Sequence, residues 1–342
     1  MATPENLIDY GNDDQVVKAR FYKGGDQLLP LLIRPKYSGV NLCEWLREHK
    51  HRFEMDLTEH GGILFRGFGI GSPESFNDFM KCFNTEPLPY MFRSSPRKEL
   101  DKNVKNIFLS TSYPSNRIIN MHNESSYSRI WGKKIAFCCI KPAVKGGETP
   151  IADSRMILSD ICPELVEKFR IKGVKYRRTL LPDLGMSWHE VFQTTDIKIV
   201  GEICEKYRIE YRFEGDRKCI IEWVKPAVYR HPISQKETWF NHVYFFNKYS
   251  RYEELGLSFK DSLPAEYLTS DTFFGDGSEI SYDEYSEIKH AYQKNTVSFS
   301  YEKGDIIFLD NMLAAHGRNS YSGERIIATA IIEPAFDEGY IP

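Results

Sequence analysis

The chain has no run of about 18 consecutive apolar residues, so no segment reads as a membrane-spanning helix. Its opening stretch, MATPENLIDYGNDDQVVKAR, lacks the positively charged region followed by an apolar stretch that marks a secretory signal. Both absences lead us to expect a cytoplasmic protein with no membrane partner. An excess of one charge is missing too: 45 basic and 48 acidic residues leave a net charge of -3. Such a balance offers no broad basic footprint to a phosphate backbone, so nucleic acid is not an expected partner. The seven cysteines show no C-x-x-C spacing and read as reduced thiols that fill the core rather than as redox centres. There is no internal repeat and no low-complexity linker, so residues 1–342 are expected to form one domain, with 1–24 a polar peripheral segment. Nothing in the sequence sets the oligomeric state.

Aromatic residues are plentiful. With 20 Tyr and 22 Phe, the composition suits strands that pack rings across a sheet better than a helical bundle. Strand-like runs lie at 28–35, 63–68, 135–140, 174–178, 296–301, 306–309 and 326–332, with four more near 209–213, 219–224, 226–231 and 237–245. Asn41 reads as the cap of a helix that ends before Gly61-Gly62. Ser72-Pro73-Glu74 opens another, in which Phe76, Phe79, Met80 and Phe83 recur at helical spacing. Further helices are predicted over 160–169 and, capped by Thr195, over 196–207. Residues 87–114 read as a long loop of the kind that often binds or covers a ligand. Arg93 and Arg97 in it are candidate substrate contacts.

The chemistry concentrates in the stretch that begins at His122. In a strand, His122 and Glu124 project from one face because side chains alternate. Two histidines and one carboxylate on one side of a metal, with the other side open, are the ligand set of a non-haem Fe(II) oxygenase. The third ligand is best supplied by His316, which an apolar run at 306–309 precedes; jelly-roll topology makes strands distant in sequence into neighbours. Arg325, just before the run 326–332, could grip a dicarboxylate with its fork, and Arg318 is the other arginine near His316. Asp310 and Asn311 are candidates to accept the second ring N–H of a metal-bound imidazole. His231 and His242 sit in no paired ligand spacing and read as structural.

Together with Gly146-Gly147-Glu148-Thr149-Pro150, His316-Gly317-Arg318, Gly62-Ile63-Leu64-Phe65-Arg66-Gly67-Phe68 and Trp239-Phe240-Asn241, these residues resemble the taurine dioxygenase (TauD/TfdA) family of Fe(II)/2-oxoglutarate-dependent oxygenases, from about residue 30 to 334. The resemblance implies a mainly β fold with flanking helices around a double-stranded β-helix (jelly-roll) core. It implies Fe(II) on His122, Glu124 and His316, with 2-oxoglutarate as cosubstrate on Arg325 or Arg318 and the Thr149 hydroxyl. O2 would be consumed, with succinate and carbon dioxide as co-products of a C–H hydroxylation or desaturation. Related halogenases carry a small residue in place of the carboxylate, so Glu124 points away from halogenation. The taurine-oxidising members hold the sulfonate with an arginine four residues beyond the cosubstrate arginine; that position here is Thr329, which disfavours a sulfonate. The N-E-S-S-Y, G-G-E-T-P-I-A-D-S-R and H-G-R-N-x-Y-x-G stretches look like the branch that tailors amino acids in natural-product biosynthesis. An amino acid or an aminoacyl carrier protein is then the expected partner, with Arg93, Arg97, Ser125 and Asn241 as its contacts. The competing readings are a barrel that binds a metal or small molecule without turnover, as a sensor, and a Zn-dependent hydrolase.

Overall fold

The structure, a computed structural model, describes residues 5–6, 15–21, 29–89, 99–101, 104–110, 113–261, 263–264 and 267–337. Among them, nine strands form one sheet in the order Glu5–Asn6, Val16–Phe21, Leu31–Pro35, Gly62–Phe65, Ile306–Asp310, Ile130–Lys141, Ile326–Phe336, Val104–Leu109 and Glu99–Asp101. All pairings are antiparallel except that of Leu31–Pro35 with Gly62–Phe65. A second sheet orders Thr296–Val297, Ile151–Asp153, Ala314–Arg318 and Ile119–His122. The two sheets share an apolar cluster that includes Ile135, Phe137, Ile307 and Ile331 from the large sheet and Ile151, Val297 and Ala314 from the small one. This is the expected double-stranded β-helix.

Register explains the apolar runs. Ile327, Thr329 and Ile331 oppose Cys139, Phe137 and Ile135, so this set turns toward the small sheet. Ala328, Ala330 and Ile332 turn the other way, beneath the helices Leu42–Glu48, Lys50–His60 and Pro73–Lys81, whose Trp45, Phe53, Phe76 and Phe79 are buried with them. A strand covered on both faces is apolar at nearly every position, and each large side chain so buried contributes about 1.5–3 kcal/mol. Ser72 caps its helix as predicted. The helix after Asn41 is instead two, broken at His49, with the Asn41 side chain accepting from the Cys43 and Glu44 amides.

Other expectations are corrected. The 87–114 loop contains the strands Glu99–Asp101 and Val104–Leu109, which widen the large sheet; Lys and Asn between Val104 and Ile107 mask the strand pattern. Arg93 and Arg97 lie outside the described residues. The strands expected near 174–178, 209–213 and 219–224 are present and, with the unexpected Ser270–Phe274, form a further four-stranded sheet in the order Glu210–Glu214, Lys218–Lys225, Val174–Leu180 and Ser270–Phe274. One helix, Tyr282–Asn295, has no counterpart in the sequence reading, though it buries Tyr285, Ile288, Ala291 and Tyr292. Asp196, not Thr195, caps Ile197–Lys206. Cys43 and Cys82 are joined in a disulfide between two helices of the outer layer, contrary to the reading of all seven as reduced thiols. The other five are free. Among the described residues no helix is long and apolar enough to cross a membrane.

Candidate active site

His122 and His316 are direct cross-strand partners in the small sheet, and His316 is also opposite Ile151. Direct partners point to one face, so both imidazoles enter the space between the sheets. Gly317 makes this approach feasible: a Cβ there would lie 2.7 Å from the Ile119 carbonyl oxygen. The strand stops at His122, however, and Glu124 stands in the turn that follows, where Ser125 has φ +56°. Glu124 reaches the imidazoles from that turn rather than by strand alternation. One potential ligand atom from each of His122, Glu124 and His316 lies within 4.8 Å of the other two, the one group of this kind among the described residues.

The donor set fits a divalent metal. His122 Nδ1 lies 2.9 Å from the Asn120 carbonyl; donating there leaves Nε2 with its lone pair for a metal. His316 Nε2 and Glu124 Oε2 are 3.8 Å apart, too far for a hydrogen bond yet close enough to share a cation. Both side chains are almost wholly buried, where a carboxylate needs a compensating charge. Phe137 packs on His316 and Phe245 on His122, with ring centroids 4.9 and 4.7 Å apart, so the two imidazoles stand in an aromatic enclosure.

The turn is held by residues remote in sequence. Asn311 Nδ2 donates to the Glu124 carbonyl at 2.9 Å and the Gly132 carbonyl at 2.8 Å, while its Oδ1 accepts the Glu124 N–H at 2.7 Å. Asn311 thus orients Glu124, not a histidine as expected. Asp310 is engaged elsewhere, with Oδ2 3.0 Å from His231 Nε2 and Oδ1 accepting the Met312 and Leu313 amides. The fully buried Lys225 donates Nζ to the Ser126 and Ser128 carbonyls and lies 3.3 Å from Asp337. Burial draws its pKa down to about 8, with Asp337 opposing that shift. His242, read as structural, is not in the ligand group but lies beside it: Nδ1 is 2.6 Å from Ser126 Oγ, and its ring centroid is 5.4 Å from that of His122. Burial, above all, holds His242 well below the usual imidazole range, so it stands neutral.

A polar cluster forms where the chain enters the strands Ile151–Asp153 and Ile326–Phe336. Arg325 donates Nε to the Gly147 carbonyl at 2.7 Å, Nη1 to Ser110 Oγ at 3.2 Å and Nη2 to Thr149 Oγ1 at 3.4 Å. The glycine pair is required here. Gly147 has φ +77°, and a Cβ on it would meet Arg325 Cδ at 3.0 Å. Tyr301, which carried no sequence signal, donates its hydroxyl to Thr149 Oγ1 at 2.8 Å.

Other candidates fall outside this arrangement. Arg318 donates to the carbonyls of Tyr113, Pro114 and Arg117, which makes it an anchor for that turn. Asn241 is fully buried, with Nδ2 on the Ala227 carbonyl and Oδ1 accepting the Val243 amide; the predicted strand around it ends at Trp239 and gives way to the helical turn Val243–Phe246. Ser125 lies in the ligand turn, its carbonyl accepting the Ser128 amide at 2.8 Å. Thr329 does face the barrel interior, opposite Phe137, with its hydroxyl donated to the Ala136 carbonyl.

Comparison with known proteins places these residues in context. The family description "Taurine catabolism dioxygenase TauD, TfdA family" matches residues 26–330. The dapdiamide synthesis protein DdaC of Enterobacter agglomerans is 34% identical over 305 residues, 89% of this chain and 91% of that one. A clavaminate synthase-like protein of Arabidopsis thaliana is 26% identical over 314 residues, 89% of each chain. Among solved structures, PvcB from Pseudomonas aeruginosa superposes with a TM-score of 0.54 at 13% identity, covering 96% of this chain and 95% of that one. AAD-2, in complex with Mn(II) and N-oxalylglycine, gives 0.51 at 14% identity over 91% and 95%. At such identities the two structures speak to the fold alone.

Proposed function

Because the chain belongs to the TauD, TfdA family and is an Fe(II)/2-oxoglutarate-dependent dioxygenase, we propose that His122, Glu124 and His316 hold its iron and that Arg325 with Thr149 binds the far carboxylate of its 2-oxoglutarate. The observation that carries this reading is the short path through the small sheet from Thr149 to the two imidazoles: Ile151, two residues beyond Thr149, pairs directly with His316, and His316 pairs with His122. Arg325 is chosen over Arg318 because the Arg318 fork is engaged by three backbone carbonyls.

Each residue has a physical task. The Asn120 carbonyl accepts the Nδ1–H of His122 and so directs Nε2 to the metal. Asn311 and Lys225 fix the turn that presents Glu124. Arg325 and Thr149 offer donors to a carboxylate, and the aromatic enclosure keeps water from the reacting centre. When bound, iron with 2-oxoglutarate and O2 supplies the oxidising chemistry, with succinate and carbon dioxide as co-products.

The substrate we infer is an amino acid, free or carried as an aminoacyl thioester, hydroxylated or desaturated at an unactivated C–H bond. Two observations support it. Relatives similar over 89% of this chain include a dapdiamide synthesis protein and a clavaminate synthase-like protein. The interior position four residues beyond Arg325 carries a threonine, so a buried sulfonate would lack its cation there. Arg93 and Arg97 remain the proposed partners of a substrate carboxylate.

The test has two parts. Anaerobic Fe(II) with 2-oxoglutarate should give a weak visible charge-transfer band, absent in His316→Ala; a full band in that variant overturns the metal assignment. Free amino acids and aminoacylated carrier proteins are then screened for substrate-dependent succinate and for gain of one oxygen or loss of two hydrogens. If neither pool responds while a sulfonate or aryloxy acid does, the substrate reading fails and the iron site stands.

A further inference from the structure

The segment Gly62-Ile63-Leu64-Phe65-Arg66-Gly67-Phe68 has no part in the site so far. Gly62–Phe65 is a strand of the large sheet, and Arg66 emerges from its end. Its guanidinium is bound on three sides by one short segment of chain. Nη2 donates to the Ser300 carbonyl at 2.9 Å and to Asp305 Oδ2 at 2.6 Å, Nε donates to Asp305 Oδ1 at 2.9 Å, and Nη1 meets Glu302 at 2.9 Å. Ser300 and Glu302 are the two neighbours of Tyr301. The segment is fastened at its far end as well, where the Cys139 amide donates to the Asp305 carbonyl and the Gly304 amide to the Cys139 carbonyl. Tyr301 is therefore presented from a clamped loop, and its hydroxyl is aimed at Thr149 Oγ1, 2.8 Å away.

Counting hydrogens gives the consequence. A threonine hydroxyl has one hydrogen and two lone pairs, and an arginine can only donate. At Thr149 Oγ1 one lone pair takes the Tyr301 hydrogen and the other takes Arg325 Nη2. The Thr149 hydrogen is then left to be given to a third group. Without Tyr301, the hydroxyl has a free lone pair and no fixed direction for its hydrogen.

Resting on the cosubstrate reading above, we propose that Tyr301, held by Arg66 through residues 300–305, is a positioning residue that turns Thr149 into a dedicated hydrogen-bond donor to the 2-oxoglutarate carboxylate. Tyr301 does not touch the cosubstrate. It acts through one oxygen atom.

Tyr301→Phe removes that oxygen-directed hydrogen while keeping the ring that lies against the Arg325 guanidinium, 6.0 Å from its centroid. The decisive measurement is 2-oxoglutarate affinity, by calorimetric titration of Mn(II)-loaded protein, for the parent, Tyr301→Phe, Thr149→Val and the double variant, so that turnover plays no part. A neutral hydrogen bond is worth about 0.5–1.5 kcal/mol, so Tyr301→Phe should weaken binding by about 2- to 12-fold in the parent. In the Thr149→Val background, where no hydroxyl remains to be oriented, it should change nothing. Equal losses in both backgrounds, or no loss in either, overturn the proposal. Arg325→Ala, titrated in parallel, separates the two failures: if it leaves affinity intact the cosubstrate assignment is wrong, whereas if it abolishes binding and the cycle is additive only the role of Tyr301 is wrong. Melting temperatures of all variants confirm that folded protein is compared, and an affinity loss matched by unfolding counts against the proposal.

Discussion

Asn311 offers the sharpest perturbation of the site, because it touches no proposed ligand side chain and yet holds Glu124 by its backbone. Its amide makes three buried hydrogen bonds: to the Glu124 N–H, the Glu124 carbonyl and the Gly132 carbonyl. At about 0.5–1.5 kcal/mol each, Asn311→Ala should cost about 1.5–4.5 kcal/mol. With an unfolding entropy near 2.1 cal/mol/K per residue, the 342-residue chain should melt about 2–6 °C lower. Asn311→Asp is more telling. One oxygen still accepts the Glu124 amide, but the other replaces Nδ2 and faces two carbonyl oxygens formerly 2.9 and 2.8 Å from a donor. The turn must open, and Glu124 with it, so metal affinity should fall in the range of about 10–100-fold found for such outer positions. Titration with Co(II), followed by its visible bands, reads affinity without turnover, and thermal unfolding reads stability beside it. An Asn311→Asp protein that binds Co(II) as tightly as the parent and melts at the same temperature would refute the reasoning.

Arg325→Ala should weaken 2-oxoglutarate binding by roughly 30-fold to a few thousand-fold, from about 2–5 kcal/mol for one lost member of a charge pair, while Arg318→Ala should leave that affinity unchanged; calorimetric titration separates them. Lys225→Met should destabilise the protein by about 1–3 kcal/mol in urea unfolding, since the Ser126 and Ser128 carbonyls lose their buried donor while Asp337 keeps Arg129, 3.4 Å away, as its cation. Burial raises the Asp271 carboxyl to about 6, so the folded state binds this proton more tightly than the unfolded one. Its contribution to stability is full below about pH 4 and is lost as pH rises through about 6, a change on the order of 3 kcal/mol. Asp271→Asn keeps an oxygen for the Lys248 and Thr272 amides, so it should flatten that fall, read as a smaller difference in unfolding free energy between acid and neutral buffer.

The proposed metal set could be picked out in the sequence, and the structure brings its three residues together, because such chemistry restricts residue types. Few combinations other than two imidazoles and a carboxylate make such a site, and His122, Glu124 and His316 stand in recognisable local patterns. The glycine pair at 146–147 was legible for a related reason, since a positive φ and the passing Arg325 stem exclude any side chain. Supporting residues carry no such mark. Asn311 stands out only by its nearness to His316, which points to an imidazole and not to Glu124; Tyr301 is one of 20 tyrosines, and Lys225 gives no hint of its burial. What makes each of them important is a partner more than 90 positions away, and the pattern of neighbours in sequence says nothing about such a partner. The same holds for Cys43 and Cys82, which are 39 residues apart. The helix Tyr282–Asn295 was missed for a different reason: charged residues surround its four buried positions and blur the apolar stripe.

Even where the residue types were legible, the geometry belonged to strand register, which sequence periodicity does not set. A slip of one residue between Ala314–Arg318 and Ile119–His122 would turn His316 away from His122 and toward the opposite face. Two contacts oppose such a slip. Gly317 lies so close to Ile119 that any other residue opposite that carbonyl would collide with it, and the Gly317 amide donates to the Pro150 carbonyl at 2.9 Å. The residue beside the ligand thus fixes the register that the ligand needs. His316-Gly317-Arg318 then reads as three tasks in sequence order: a side chain for the proposed metal, a missing side chain for the register, and a guanidinium that ties the strand end to the turn at Tyr113, Pro114 and Arg117. A motif of this kind is legible as a string because each of its members answers to a separate local constraint. The asparagine clamp answers only to the assembled fold.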